Sequence, residues 1–305
     1  MRFVVRRTVW MIVTLWAVFT VSFFLMRNTS GNPFDGDRKL EPAVRAMLEK
    51  RYDLDKPQWE QYLLEMKRYV FELDLGYSMK QKDYSVNQII AEGWPISAAL
   101  GVLALTLAAA VGITAGTIAA VRRGTYVDTT VIGISTLGIA LPNFVLAGLA
   151  IIAFAFLIPL FPAAGWGRWE HLVLPACCLA APYAAYIARL TRTGMLEVLN
   201  QDFIRTAIAK GLPARTVVLR HALRGALLPV ATYLGPAAAG ILTGSMVVEQ
   251  AFAIPGLGTH FVFAALQYDY TLCLGLVMLY TVVLYTLNFV VDLTYAVLDP
   301  RVKLE

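Results

Sequence analysis

The apolar residues of this chain are gathered into six stretches, each long enough to cross a lipid bilayer, and this constrains the fold more than any single motif. They cover residues 8–26, 96–121, 129–160, 172–190, 229–248 and 271–297. A bilayer core takes roughly 20 apolar helical residues per crossing, so the pattern predicts an all-α integral membrane protein with six transmembrane helices. Composition excludes the alternative of a soluble globule. With 58% hydrophobic and only 15% charged residues, there is too little charge to coat one. The third stretch is long and holds Pro142, which predicts a kink, a tilt or an early turn there.

Arg2, Arg6 and Arg7 precede the first stretch as they would a secretory signal. The run from Thr8 to Met26 exceeds the ~7 to 15 residues of a signal core, and no small-x-small site follows it, so it reads as an uncleaved anchor. Basic residues then set the orientation. Three lie at the N-terminus, Arg122 and Arg123 in the next short loop, seven between Arg189 and Arg224, and Arg301 and Lys303 in the tail. The opposing short loops hold Arg168 and none, so both termini are expected in the cytoplasm. Residues 28–93, with ten Lys and Arg against twelve Asp and Glu, read as a small external module. Within it, helical spacing of Val44, Met47 and Leu48, and of Tyr62, Leu63, Met66 and Val70, predicts two short helices. Pro57 suits the first turn of the second, and Asp74–Tyr77 and Lys80–Asp83 read as turns. A solvated cap and a docking surface for an external partner both fit the module.

The residues that usually carry chemistry are sparse. Cys177, Cys178 and Cys273 lie in apolar stretches without metal-ligand or disulfide spacing, and His171, His221 and His260 are scattered. No metal site, catalytic residue or nucleic-acid partner is expected. The phosphate loop Gly-x-x-x-x-Gly-Lys-Ser/Thr does not occur, so the chain does not bind ATP by that device.

The most informative segment is the basic interruption at 205–229. Asn200 or Asp202 can cap a helix ending at Ala209 and Lys210, with Gly211 for the left-handed turn that closes it. Pro213 fits the first turn of a second helix, on which Arg220 and Arg224 share a face at i and i+4 with Val218 and Ala222 opposite. A helix pair along the membrane surface follows. It can serve as a socket for a protein outside the membrane or as an interfacial pair attracting anionic membrane lipid, and charge and amphipathicity alone do not separate the two.

Arg205-Thr-Ala-Ile-Ala-Lys-Gly211 with Arg220-His-Ala-Leu-Arg-Gly-Ala-Leu-Leu-Pro229 resembles the "EAA" loop of permease subunits of ATP-binding-cassette importers, in its peptide-importer form. Leu54-Asp-Lys-Pro57, Gln61-Tyr62, Asp74-Leu-Gly-Tyr-Ser78, Glu249 with Phe252, Ile254-Pro-Gly-Leu-Gly258, Asn288, and Val291 through Arg301 resemble, in order, the first permease subunit of dipeptide and oligopeptide importers. The sequence departs from that pattern at Ser30-Gly-Asn-Pro33 and at Gly93-Trp-Pro-Ile-Ser97. The resemblance implies a type I ABC importer permease fold in the bacterial inner membrane. It also implies a homologous second permease, two cytoplasmic ATPase subunits that hold the ATP and Mg, and a periplasmic or lipid-anchored solute-binding protein. Ala207 and Gly211 then fall on the small positions of the loop. Arg205, Lys210 and Arg220 become polar contacts to the ATPase, with Thr206, Arg224 and Pro229 in the same coupling element.

Other polar residues suggest a pathway. Thr281, Tyr285, Asn288 and Asp292 share one face of the sixth stretch, which either interhelical hydrogen bonding or a pore wall explains. Asn143 follows Pro142 at the expected kink. Glu249, Pro255, Gly256 and Gly258 sit in the external turn between the fifth and sixth stretches, where a plain glycine-rich connection and, by resemblance, part of an external gate are the two readings.

The organisation expected is an anchor helix at 1–27, an external module at 28–94, a five-helix core at 95–298 containing a cytoplasmic coupling loop at 191–228, and a tail at 299–305. The function expected is that of a permease subunit without catalytic residues of its own, importing short peptides by ATP-driven alternating access. The same machinery carrying nickel chelate or another small solute is the nearest alternative. A stand-alone ion-coupled carrier or channel would need a charged site at mid-membrane, and the mid-span regions hold no acidic or basic residue.

Overall fold

The computed structural model describes residues 2–29, 33–34, 41–81, 83–242 and 246–298, with side chains from 4 to 290 among them. The expected tail at 299–305 and the Ser30-Gly-Asn portion of the external departure lie outside these residues. Fourteen α-helices and three π-helical segments occur among the described residues, and no named strand does. Four helices are long and apolar enough to cross a membrane: Val4–Asn28, Val86–Val121, Glu170–Leu199 and Tyr270–Val290. Two bent pairs meet the same test together, Tyr126–Ala140 with Asn143–Leu157 and Ala214–Ala226 with Leu228–Leu242.

The described chain forms two compact units, one within residues 1–97 with Pro255–Tyr285 and the other of Ala98–Ile254 with residues 286–298. In the first unit, α1 (Arg2–Asn28) runs beyond both ends of the expected stretch. Of its large side chains only Phe19 and Phe23 are fully buried, while Trp10, Ile12, Trp16, Val21 and Leu25 are exposed. Phe19 and Phe23 meet Tyr62 of α3 (Gln58–Lys67) at ring-centroid distances of 5.7 and 5.5 Å. Thr20 and Tyr62 share a 2.9 Å hydroxyl contact, and Arg27 pairs with the half-buried Glu65 at 3.0 Å. The two expected external helices are present as α2 (Pro42–Arg51) and α3. Pro57 sits at the N-cap rather than in the first turn, because Gln58 is the first residue with helical backbone. The Gln61 amide donates to the Lys56 carbonyl at 2.7 Å, which fixes the turn between these helices.

After residues 73–76, where Leu73 and Gly76 both have positive φ, Tyr77 and Ser85 pair in an isolated antiparallel bridge, and α4 (Val86–Val121) begins. It starts ten residues before the expected stretch and accommodates Pro95. The Ser97 hydroxyl accepts the Leu257 amide at 2.9 Å. Val86 and Ile89 pack with Leu257, Leu272 and Leu276 in the buried core of this unit.

In the second unit the third stretch is broken. The helices α5 (Tyr126–Ala140) and α6 (Asn143–Ile151) meet at 107°. The cause is local: Pro142 disfavours the helical region for the residue before it, and Leu141 is extended at φ −82°, ψ 126°. α7 (Glu170–Leu199) continues through Arg189 and Arg192, so residues 191–199, expected in a loop, complete a long helix. Its small residues admit close neighbours. A methyl group built at Gly112 of α4 would come within 2.7 Å of the Ala184 carbonyl oxygen.

Candidate functional site: the coupling segment and the polar faces

α8 (Asp202–Ala209) is the first helix of the basic segment. Its N-cap is Gln201, not Asn200 or Asp202 as expected. The Asn200 side-chain amide is committed to the Leu196 carbonyl at 2.8 Å, and Asp202 already has helical backbone. The other end matches the expectation. Gly211 adopts φ +75°, its amide bonds to the Ile208 carbonyl at 2.9 Å, and the Leu212 amide reaches back to the Ala207 carbonyl at 3.3 Å. These two bonds form a Schellman closure.

The second helix is not regular. Pro213 caps a turn, α9 (Ala214–Thr216), which passes into a wider π-helical turn over Val217–Ala222 and then α10 (Leu223–Ala226). Pro213 therefore lies one residue before the turn it was expected to open. The wider turn changes the inward face from the expected Val218 and Ala222 to Val217 and Ala222, with Val218 only half-buried. α11 (Leu228–Leu242) follows at 55° to the preceding helix, and Pro229 is exposed in its first turn. The fifth stretch continues, beyond residues 243–245, as α12 (Met246–Ala251).

One apolar cluster holds the segment in place. Ile204 and Ala207 of α8 pack with Val217, Ala222 and Ala226, and with Met195 of α7 and Ala120 of α4. The opposite side of α8 is open: Phe203 is 47% and Ile208 60% exposed, beside exposed Arg205, Thr206 and Lys210. Arg220 and Arg224 are exposed as well. Among the described residues, Arg205 pairs with Asp202 on its own helix at 3.4 Å. A short helix with apolar side chains at its tip, basic residues around them and a fixed inner face is shaped for contact with another protein.

Sequence reasoning missed an ion pair close to this segment. Arg192 of α7 forms two hydrogen bonds to Asp128 of α5 at 2.6 and 2.8 Å, and the Gly124 amide donates to the same carboxylate at 3.0 Å. The available signal was an acidic residue at the very start of an apolar stretch.

The candidate pathway residues lie on α14 (Tyr270–Leu298). The Thr281 hydroxyl donates to the Val277 carbonyl of the same helix at 2.8 Å. Tyr285 shares a 2.8 Å hydroxyl contact with Thr14 of α1. Asn288 is half-buried, and the Asp292 side chain lies outside the described residues. Asn143 is the first residue of α6 and half-buried.

Glu249, in α12, is fully buried, and its backbone carbonyl accepts the Ile254 amide at 2.8 Å. The left-handed residue of that turn is Ala253, at φ +49°. Gly256 is extended, and it caps a helix the sequence did not suggest, α13 (Leu257–Leu266), in which Gly258 is buried. Pro255 is exposed.

In the first unit a second unexpected centre is Asp269, which is buried. Its carboxylate accepts the Ser78 hydroxyl, the Met79 and Lys80 amides at 3.1 and 3.2 Å, and the Leu272 amide in the first turn of α14 at 3.1 Å. Asp-Tyr before an apolar run is a helix-start signal, but the reach back to Ser78 spans 191 residues and has no local signature. Among the described residues no group of three or more His, Cys, Asp or Glu could hold a metal.

Comparison with known proteins places this geometry. Residues 112–304 match the family model described as "binding-protein-dependent transport system inner membrane component". The chain is 45% identical over 305 residues to the oligopeptide transport system permease protein OppB of Escherichia coli K12, covering 99% of each. It is also 45% identical over 303 residues to the dipeptide transport system permease protein DppB of Bacillus subtilis 168, covering 99% of this chain and 98% of the relative. Among solved structures, an inward-facing form of the MetNI methionine ABC transporter matches with a TM-score of 0.59 at 18% identity, over 69% of this chain and 96% of that one.

Proposed function

Because the chain belongs to the binding-protein-dependent transport system inner membrane components, we propose that it is the permease subunit of an ATP-driven importer of dipeptides or oligopeptides, coupled to its ATPase through α8. The observation that carries the coupling is the two-sidedness of α8: Ile204 and Ala207 are locked into the cluster with α4, α7 and α10, while Phe203, Arg205, Ile208 and Lys210 face outward. Force applied to the outer face passes through the inner one to the spans.

In this reading each bent pair is one crossing. The chain has six spans, both termini in the cytoplasm, and the divisions at 1–27, 28–94, 95–298 and 299–305. It sits as a multi-pass subunit of a bacterial inner membrane beside a homologous second permease. Two cytoplasmic ATPase subunits carry the ATP and Mg, and this chain holds no cofactor and performs no catalysis. A periplasmic or lipid-anchored solute-binding protein delivers the peptide. ATPase closure tilts α8 and its cluster, exchanging an inward-open for an outward-open arrangement, with Glu249 and the 255–258 turn at the outer gate and Asn143, Thr281, Tyr285, Asn288 and Asp292 along the path.

The test is reconstitution of the complete transporter into proteoliposomes with its binding protein and a labelled tripeptide. Uptake that requires ATP on the ATPase side is the expected result. Uptake driven by an ion gradient without ATP, or none with peptide but robust uptake of a metal chelate, would sink the proposal.

A further inference from the structure

In the second unit a groove of ≈ 440 Å³ lies between the last turn of α4 and the start of the second coupling helix, lined by Thr117, Ile118, Val121, Arg122, Ala214, Arg215, Val218 and Leu219. Its two halves differ in chemistry. Ile118, Val121, Val218 and Leu219 form an apolar floor, and Ile118, Val121 and Leu219 are exposed as large aliphatic side chains. Arg122 and Arg215 are exposed beside it. Neither guanidinium has an ion-pair or hydrogen-bond partner among the described residues, whereas Arg27, Arg68, Arg168 and Arg192 each meet a carboxylate.

The place of the groove along the chain matters as much as its lining. Residues 96–121 of α4 hold no charged side chain, and Arg122 and Arg123 end the run. With α4 read as a membrane span, the change from apolar floor to paired guanidinia falls where hydrocarbon gives way to head groups. An amphipathic ligand with an anionic head and an aliphatic tail meets both halves at once. A guanidinium binds phosphate oxygens in a planar fork, and a basic cluster beside a span attracts anionic lipid.

We propose that this groove is a binding site for one anionic phospholipid, its phosphate held by Arg122 and Arg215 and an acyl chain laid over Ile118, Val121, Val218 and Leu219. The lipid braces the 214–219 turn against the end of α4, just before the bend into α11. ATPase coupling and lipid occupancy are then separate properties of adjoining surfaces. The proposal shares with the importer reading only the placement of α4 in the membrane.

Native mass spectrometry of the full chain in mild detergent, titrated with phosphatidylglycerol or with phosphatidylcholine of the same acyl chains, reads the site directly and involves no transport. Replacing both arginines (R122Q/R215Q) is expected to weaken binding of one phosphatidylglycerol about thirtyfold, from the typical attraction per basic residue, with phosphatidylcholine unaffected. Leu219→Asn, which keeps both charges, should weaken the same lipid less but measurably. R220Q/R224Q, which removes two basic residues outside the groove, should leave it bound. Equal weakening by R220Q/R224Q would mean diffuse attraction and overturn the proposal. So would displacement by inorganic phosphate at concentrations comparable to the lipid, or loss of the lipid when the ATPase subunits assemble and cover the groove.

Discussion

Gly211 offers a test of the coupling element in which backbone and side-chain effects separate cleanly. Its φ of +75° lies in the left-handed region, and a methyl group built on it meets no atom within 4 Å. A substitution there is therefore opposed by backbone conformation alone within this chain. That conformation costs an L-residue about 1–2 kcal/mol, with Asn at the low end because it tolerates the region and valine at the high end because its β-branch does not. Since 1.4 kcal/mol is a factor of ten, Ala or Val should disfavour the turn about five- to thirtyfold. The turn's two closing bonds, Gly211 to Ile208 and Leu212 to Ala207, set where α8 ends. ATP-dependent peptide uptake by the assembled transporter should accordingly fall in the order Gly, Asn, Ala, Val, with membrane insertion unchanged. Wild-type uptake by Gly211→Val would refute the coupling role. Asn as damaging as Val would refute the backbone argument and point to a steric contact with the partner.

Four further outcomes follow from the geometry. Gly194→Ala would place a methyl 2.6 Å from the Ala226 carbonyl oxygen; overpacking of about 1–3 kcal/mol outweighs the ~1 kcal/mol gained in helix propensity. Its denaturation midpoint in detergent should drop, while that of Gly133→Ala, which meets nothing within 4 Å, should not. Ala253→Gly should raise the midpoint, through a gain of up to about 1 kcal/mol in stability from relieving the φ of +49°, and a lower midpoint would show that the turn is held by other means. Asp269→Ala orphans three amides, at about 1–3 kcal/mol each, so hydrogen exchange at residues 78–81 should accelerate by more than tenfold; unchanged exchange would deny Asp269 its organising role. Burial alone would raise the Asp53 carboxyl, but hydrogen bonds and charge from Lys56 and Arg68 outweigh it and hold the group below the usual carboxylate range. Because the folded pKa is the lower one, its stabilisation is present above the unfolded value near ~3.9 and is lost as pH falls through the folded value. Exchange protection at residues 53–56 should then weaken in acid for the native chain and respond less in Asp53→Asn; an equal acid response in both would remove Asp53 as the cause.

What was legible in the sequence was local or periodic. Apolar length located every long helix, Pro142 located the break, and Gly211 located the left-handed turn, because each follows from covalent geometry over a few residues. The errors were local too: the N-cap position fell to Gln201, which makes no side-chain cap bond, while the Asn200 amide donates to the Leu196 carbonyl of α7. A π-helical turn moved the buried face from Val218 to Val217, a shift that 3.6-residue periodicity cannot anticipate. The contacts that organise the two units were invisible for a different reason. Ser78 to Asp269 and Asp128 to Arg192 join residues 191 and 64 positions apart, and neither partner carries a spacing that names the other. The resemblance had marked Ser78 within Asp74-Leu-Gly-Tyr-Ser78, without giving the reason that its hydroxyl meets a buried carboxylate.

The residues around α8 also bear on how motion could pass through it. Ala207, Ala222 and Ala226 are buried there, and Gly194 lies against the Ala226 backbone. Long side chains at such contacts could change rotamer and absorb a displacement of α8. Alanine has no rotamer to change and glycine has no side chain, so these contacts approach backbone against backbone. Close-packed interiors transmit strain, and the alanine and glycine contacts offer no rotamer in which to dissipate it, while Met195, Ile204 and Val217 fill the rest of the cluster. On the coupling reading proposed above, small residues beside α8 do more than permit close approach: a push on α8 would reach α10 and the end of α7 through them. Gly194→Ala should then lower stability without loosening the coupling of the molecules that remain folded, whereas Gly211→Val loosens the coupling at its point of attachment.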